Sequence, residues 1–165
     1  MFPLPDECKL SSNFVRIISL NLNGIRSATS KGVFDWLAQQ DADIVCVQEL
    51  KAQMGDLTPQ MLAPRFENGG YRGWFHCAEK KGYSGVGIYS RHEPDNVVVG
   101  LGNAEFDAEG RYIQLDFKGL SVVSVYLPSG SSSPERQEAK FRFMEVFYPH
   151  LQALRACGRE VVICG

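Results

Sequence analysis

The 165-residue sequence has no apolar run approaching the roughly 18 residues needed to cross a membrane. Its start, MFPLPDECKLSSN, lacks both the basic head and the apolar stretch of a secretory signal, so residues 1–13 are expected to form a disordered lead-in. Charge of one sign is scarce as well. Lys+Arg number 17 against Asp+Glu 19, a formal net charge of −2 with a pI near 5.9, which excludes a protein that coats nucleic acid by bulk positive charge. The five cysteines, at positions 8, 46, 77, 157 and 164, form no CxxC and no regular spacing. Their odd number speaks against a disulfide framework, and Cys46 and Cys164 sit in apolar runs where a thiol packs as a small core side chain. They read as inert thiols of a reducing compartment, and the protein as soluble and cytoplasmic. There is no internal repeat and no low-complexity tract beyond one serine-rich loop.

What is present is the composition of one folded domain. A 44% hydrophobic and 11% aromatic content over this length is enough to bury about 70% of the unfolded surface without cross-links. Sixteen glycines and eight prolines suit a loop-rich enzyme better than a helical bundle. Phe14–Leu20 is a β-rich run that ends in the polar segment Asn21–Arg26, and residues 30–40 carry Val33, Phe34 and Leu37 at helical spacing. Ile44-Val-Cys-Val47 is a continuous apolar run, the mark of a strand covered on both faces. Loop and short helix are expected over 50–70, then strands near 73–78, 85–90, 96–100, 111–117 and 120–127. Ser133 as N-cap and Pro134 at the first helical position predict a helix from 134 to 156, with a kink or break at Pro149. Gly158 closes that helix, and residues 160–164 form a last buried strand.

In open α/β sheets function gathers where strands run out into loops. Three predicted strand ends carry polar groups that folding does not demand: Asn21 and Asn23, Glu49, and Tyr126. Each also has an ordinary structural reading. Glu49 can cap a helix or pair with Lys51, Asn23-Gly24 is a turn dipeptide, and Tyr126 can be a core ring with a wet hydroxyl.

The ordered set says more than its members. NLNGIR (21–26), CVQELK (46–51), GYSGVGIYSR (82–91), EGR (109–111) and VYLP (125–128) occur in that sequence. Together they resemble the exonuclease III family of abasic-site endonucleases, within the endonuclease/exonuclease/phosphatase superfamily. The resemblance implies an α/β (α+β) fold, a four-layer αββα sandwich of which residues 14–165 supply roughly the N-terminal two thirds. One sheet is expected largely present and the other short of several strands, with apolar surface exposed.

The resemblance also implies chemistry: hydrolysis of DNA phosphodiesters with Mg²⁺ or Mn²⁺, at abasic sites and at 3′ ends of duplex DNA, by a monomer when complete. By similarity Glu49 binds the metal. Asn21 sits beside it, touching the metal shell or a catalytic carboxylate, and Tyr126 contacts the scissile phosphate. Asn23 stands where some relatives carry an aspartate. Arg26, Gly82 and Tyr83 match positions that touch the DNA backbone, and Arg72, Lys80 and Lys81 are candidates for further phosphate contacts. Ser129 stands where some members have an asparagine near the phosphate, and Leu20 where many have an aromatic residue. In the family an Asp-x-Asn motif follows the strand corresponding to 160–165, so the 165 residues alone are expected to hold metal weakly and not to turn over. Two alternatives are a phosphoinositide or phospholipid phosphodiesterase of the same superfamily and a non-catalytic DNA-binding remnant.

Overall fold

The computed structural model describes residues 15–67, 69–130 and 133–165, so the expected lead-in lies outside the described residues. Two four-stranded sheets pack face to face. The first has the order β1-β2-β6-β5, from β1 (Ile17–Asn21), β2 (Ile44–Gln48), β5 (Arg72–His76) and β6 (Val86–Ser90). The second has the order β10-β9-β8-β7, from β7 (Asn96–Val99), β8 (Tyr112–Phe117), β9 (Leu120–Val125) and β10 (Glu160–Cys164). Parallel pairs β1–β2 and β9–β10 occupy one side of each sheet, and the remaining pairs are antiparallel. Helices α1 (Ile25–Ser30), α2 (Val33–Ala38) and α3 (Pro59–Leu62) lie against the first sheet, α4 (Ala104–Asp107) and α5 (Pro134–Ala156) against the second. A two-residue hairpin, β3 (Arg65–Phe66) with β4 (Gly69–Gly70), closes the loop before β5.

Strand alternation builds the four layers. On β2, Ile44 and Cys46 face the other sheet and meet Val86, Ile88, Ile113, Leu115 and Val122, while Val45 and Val47 face outward beneath Phe34 and Leu37. This is why the whole strand is apolar. On β9, Val122 points inward, and Val123 and Val125 lie under Phe106, Phe143 and Phe147. The inter-sheet layer turns polar at one end. There Gln48 Nε2 donates to Ser124 Oγ at 3.1 Å, Ser124 Oγ donates to the Val47 carbonyl at 3.0 Å, and Ser19 Oγ reaches Gln48 Oε1 at 3.5 Å. The two bonds of Ser124 pin the sheets together beside Glu49.

Three expectations need correction. The helix expected over 30–40 is two helices, and it begins earlier, inside the segment read as a polar loop. Gly24 (φ +104°) starts α1 and Gly32 (φ +82°) separates it from α2, a left-handed conformation that glycine adopts without steric cost. Next, α5 runs unbroken from Pro134 to Ala156 through Pro149. Pro149 lies on the exposed side of the helix, where water can satisfy the carbonyl that a missing N–H leaves open. Finally, β10, expected as a buried strand, is half-exposed as the outermost described strand of the second sheet. Exposed apolar side chains occur at Ile163 on β10, 44% exposed, and on the outer side of α5 at Phe141 (57%) and Tyr148 (58%). No helix among the described residues is long and apolar enough to cross a membrane.

Candidate active site

Register brings the predicted polar residues to one rim. Asn21 pairs with Gln48, Gln48 with Val86, and Val86 with His76, so the ends of β1 and β2 lie beside the start of β6. In the second sheet Val125 pairs with Tyr112, which places Tyr126 and Arg111 side by side just beyond the same end. The segment after β2 is held on both flanks. Gly24 N–H donates to the Glu49 carbonyl at 2.8 Å and Ile25 N–H to that of Leu50 at 2.9 Å. From the other side Leu50 N–H reaches Gly85 O at 3.1 Å and Lys51 N–H reaches Ser84 O at 2.9 Å.

Four non-glycine residues of this rim hold left-handed backbone: Asn23 (φ +46°), Glu49 (+55°), Lys51 (+48°) and Ser84 (+43°). Such a conformation costs an L-residue roughly 1–2 kcal/mol, tolerated where surrounding bonds over-determine it. Here it turns the Glu49 carboxylate out of the strand direction and into a ring of donors. Asn21 Nδ2 donates to Glu49 Oε1 at 2.8 Å, Lys51 Nζ lies 2.8 Å from Oε2, and the Tyr126 hydroxyl donates to the same carboxylate. Lys51 Nζ also donates to Asn23 Oδ1 at 2.5 Å, and Asn21 Oδ1 accepts the Asn23 N–H at 2.9 Å.

Burial alone would raise the Glu49 pKa. The bonds from Asn21, Lys51 and Tyr126, with the charge of Lys51, outweigh it and hold the carboxyl below its ordinary range. The Tyr126 phenol moves the other way, pushed up to about 12 by burial and then by its bond to and charge repulsion from Glu49, with Arg111 pulling against the rise.

A second cluster adjoins the first. Arg111 is buried and spends its guanidinium on three partners: Nε on Glu109 Oε2 at 2.5 Å, one terminal nitrogen on the Tyr126 carbonyl at 2.8 Å, and the other on the Tyr83 hydroxyl at 2.8 Å. It also lies 5.3 Å from the Tyr126 ring centroid and 5.7 Å from that of Tyr83. Arg136, on the first turn of α5, donates to the Tyr83 hydroxyl at 3.1 Å, and Lys80 lies 5.6 Å from the Tyr83 ring.

Asn21, Asn23, Glu49 and Tyr126 therefore form one hydrogen-bonded group, and Tyr83 joins it through Arg111. Arg26 and Gly82 are exposed on the flanking segments, and Ser129 is exposed three residues beyond Tyr126. The pairing of Glu49 with Lys51, set out as an ordinary structural reading, is present as part of this group. Arg72 does not join the rim. It starts β5, opposite Ser90 and hence Ile44, at the far end of the sheet, where it pairs with Glu93 at 2.7 Å and covers Trp74. Sequence reasoning gave no role to Lys51 within the group, to Arg111 or to Arg136. The Glu109-Gly-Arg111 motif was the available signal for Arg111. Nothing local marks Arg136, which meets Tyr83 only through the packing of α5.

Layers, sheet order and a carboxylate-centred rim define the class: a four-layer αββα sandwich with its candidate site on the loops at one end of both sheets. Residues 18–165 match the Endonuclease/Exonuclease/phosphatase family, and the chain belongs to that family. It is 36% identical over 154 residues to a Bacillus subtilis (strain 168) protein named exodeoxyribonuclease, covering 92% of this chain and 57% of that protein. It is 30% identical over 162 residues to a DNA-(apurinic or apyrimidinic site) endonuclease of Dictyostelium discoideum, covering 97% of this chain and 43% of that protein. Among solved structures, an AP endonuclease from Archaeoglobus fulgidus superposes with a TM-score of 0.70 at 31% identity, over 85% of this chain and 52% of that one. The chain thus spans about half the length of the relatives it matches.

Proposed function

We propose that the protein is a DNA-repair phosphodiesterase of the exonuclease III type, hydrolysing the backbone of duplex DNA at abasic sites and at 3′ ends with Mg²⁺ or Mn²⁺. One observation carries this reading most. Glu49, Asn21, Lys51 and Tyr126 form a single hydrogen-bonded group on the rim of a fold shared with proteins named exodeoxyribonuclease and AP endonuclease.

The donor set fits a hard cation. Glu49 Oε2 and Asn23 Oδ1 already share a positive charge, the Lys51 ammonium, so two oxygens converge on a cation position. No cluster of three His, Cys, Asp or Glu side chains occurs among the described residues. One carboxylate with amide oxygens suits Mg²⁺, which keeps most of its water and takes further ligands from substrate phosphate. Glu49, with Asn21 and Asn23 alongside, would hold the ion. The chemistry it would supply is polarisation of a phosphoryl oxygen and activation of water.

The side chains have their own tasks. Asn21 fixes the Glu49 carboxylate, and Lys51 neutralises it while the cation position holds no ion. Tyr126, with its pKa pushed up to about 12, keeps its proton at neutral pH and can offer a hydrogen bond to a phosphate oxygen as charge builds there. Arg26, Gly82, Tyr83 and Ser129, with Lys80, would position the duplex through its phosphates, contacts that carry no base specificity. A local basic groove is compatible with the net charge of −2.

The test is cleavage of a duplex with a single abasic site by the full-length protein in Mg²⁺. Glu49→Ala is expected to abolish detectable cleavage, and Tyr126→Phe to lower kcat about 10²-fold, the range seen when one transition-state donor is removed. Cleavage that survives Glu49→Ala, or hydrolysis of a phosphoinositide in preference to the duplex, would overturn the proposal.

A further inference from the structure

We propose that Arg111 is the positioning residue of this site, a buried clamp that holds the Tyr126 phenol on Glu49 and the Tyr83 ring at the rim as one unit. The inference rests on the proposed phosphodiesterase site and adds to it a residue that would act through the two tyrosines.

A guanidinium removed from water is costly unless every face is occupied. Arg111 meets that condition with groups from three separate segments: Glu109 two residues before it, the Tyr126 carbonyl after β9, and the Tyr83 hydroxyl from the loop before β6. The backbone adds a fourth tie, since Tyr126 N–H donates to Arg111 O at 2.9 Å. Tyr126 is thus held at its N–H, its carbonyl and its ring face by one residue, while its hydroxyl points to Glu49. Tyr83 is held likewise: its hydroxyl accepts from Arg111 and Arg136 and lies 3.4 Å from Glu109 Oε1 as donor.

A residue needed only to fill space would not require a planar fork of donors. The fork fits because its nitrogens face a carboxylate, a carbonyl and a hydroxyl in different directions, a pattern the lysine ammonium cannot reproduce. Nor does Arg111 need to touch the substrate, because it is covered by the groups it positions.

The experiment is a double-mutant cycle read by fluorine NMR on full-length protein labelled with 3-fluorotyrosine, the Tyr126 and Tyr83 signals being assigned from Tyr126→Phe and Tyr83→Phe. Glu49→Gln is expected to shift the Tyr126 signal in the wild-type background. In Arg111→Met the same change should leave that signal unmoved, and in Arg111→Lys it should move it by less than about half as much, because the phenol meets the carboxylate only while the clamp holds it there. Loss of stability alone would not remove the coupling in a folded variant. A full-sized shift in folded Arg111→Met overturns the proposal. Should Arg111→Met fail to fold, Arg111→Lys decides by the same criterion. In the cleavage assay, Arg111→Lys should lower kcat about 10²-fold with KM for the duplex within about threefold, as expected of misplacement rather than lost binding. Absence of cleavage by the wild type, with the NMR coupling lost in Arg111→Met, would refute the phosphodiesterase reading and support the clamp.

Discussion

Gly110 lies between the two residues of the Glu109–Arg111 ion pair, buried against the end of β5. A methyl group added there would stand 2.6 Å from Ala78 N, 2.6 Å from the Cys77 carbonyl carbon and 2.7 Å from His76 O. All three are backbone atoms, and the segment cannot swing away, because Glu79 N–H donates to Ala108 O at 2.8 Å. The backbone at Gly110 is also left-handed, with φ +60°. Gly110→Ala therefore incurs two costs: about 1–2 kcal/mol for the conformation and about 1–3 kcal/mol for the overlap. Their sum, roughly 2–5 kcal/mol, is a large share of the about 5–15 kcal/mol that holds a domain folded. With a urea slope near 2 kcal/mol per molar, the unfolding midpoint followed by far-UV circular dichroism should fall by about 1–2.5 M. Gly119→Ala is the control. Its φ is +78° and nothing lies within 4 Å of the added methyl, so it incurs the conformational cost alone. If Gly110→Ala is no more destabilising than Gly119→Ala, the close approach of the 109–111 segment to β5 is wrong, and with it the seat of the Arg111 clamp.

Two further outcomes follow from packing and charge. Phe143 is fully buried on the inner face of α5 and Phe141 is 57% exposed on its outer side, so Phe143→Ala should cost about 3–5 kcal/mol and Phe141→Ala no more than about 0.5 kcal/mol, measured by urea unfolding. Asp116 accepts from Ser121 and Gln114 at 2.6 Å each and from Asn96 at 3.0 Å; burial opposes its charge, but these bonds and Arg159 hold its carboxyl below the ordinary aspartate range. A carboxyl depressed on folding adds stability that is present above its unfolded pKa and is lost as pH falls through the folded one. The urea midpoint should therefore drop less between pH 6 and pH 3, roughly the window around the ordinary aspartate value, in Asp116→Asn than in the wild type.

Features written in local pattern were legible. Ser133 and Pro134 mark the start of α5 and Gly158 its close, and the unbroken apolar run of β2 announces a strand between two layers. The ends of β1, β2 and β9, each followed by a polar side chain, pointed to the rim where Asn21, Glu49 and Tyr126 meet. What stayed hidden depends on contacts between distant segments. Gly32 could belong to a helix or to its end, and the choice is made by packing Ile25 into the core as the start of α1. Pro149 is tolerated because it faces solvent, an orientation set by Phe143 and Phe147 on the opposite side. Arg136 reaches Tyr83 across 53 residues, a distance at which periodicity carries no information.

The left-handed backbone at Asn23, Glu49, Lys51 and Ser84 has a consequence for any attempt to harden this protein. Glycine would relieve about 1–2 kcal/mol at each position, less about 0.5–1 kcal/mol for the freer unfolded chain. A library sorted for heat resistance would thus be drawn toward glycine at these four sites. Three of those replacements would delete Asn23, Glu49 and Lys51, the side chains around the proposed cation position. Thermal selection and chemical selection pull against each other on this rim. Ser84 is the position where they need not, since its buried hydroxyl has no hydrogen-bond partner among the described residues and its backbone carbonyl would still accept from Lys51.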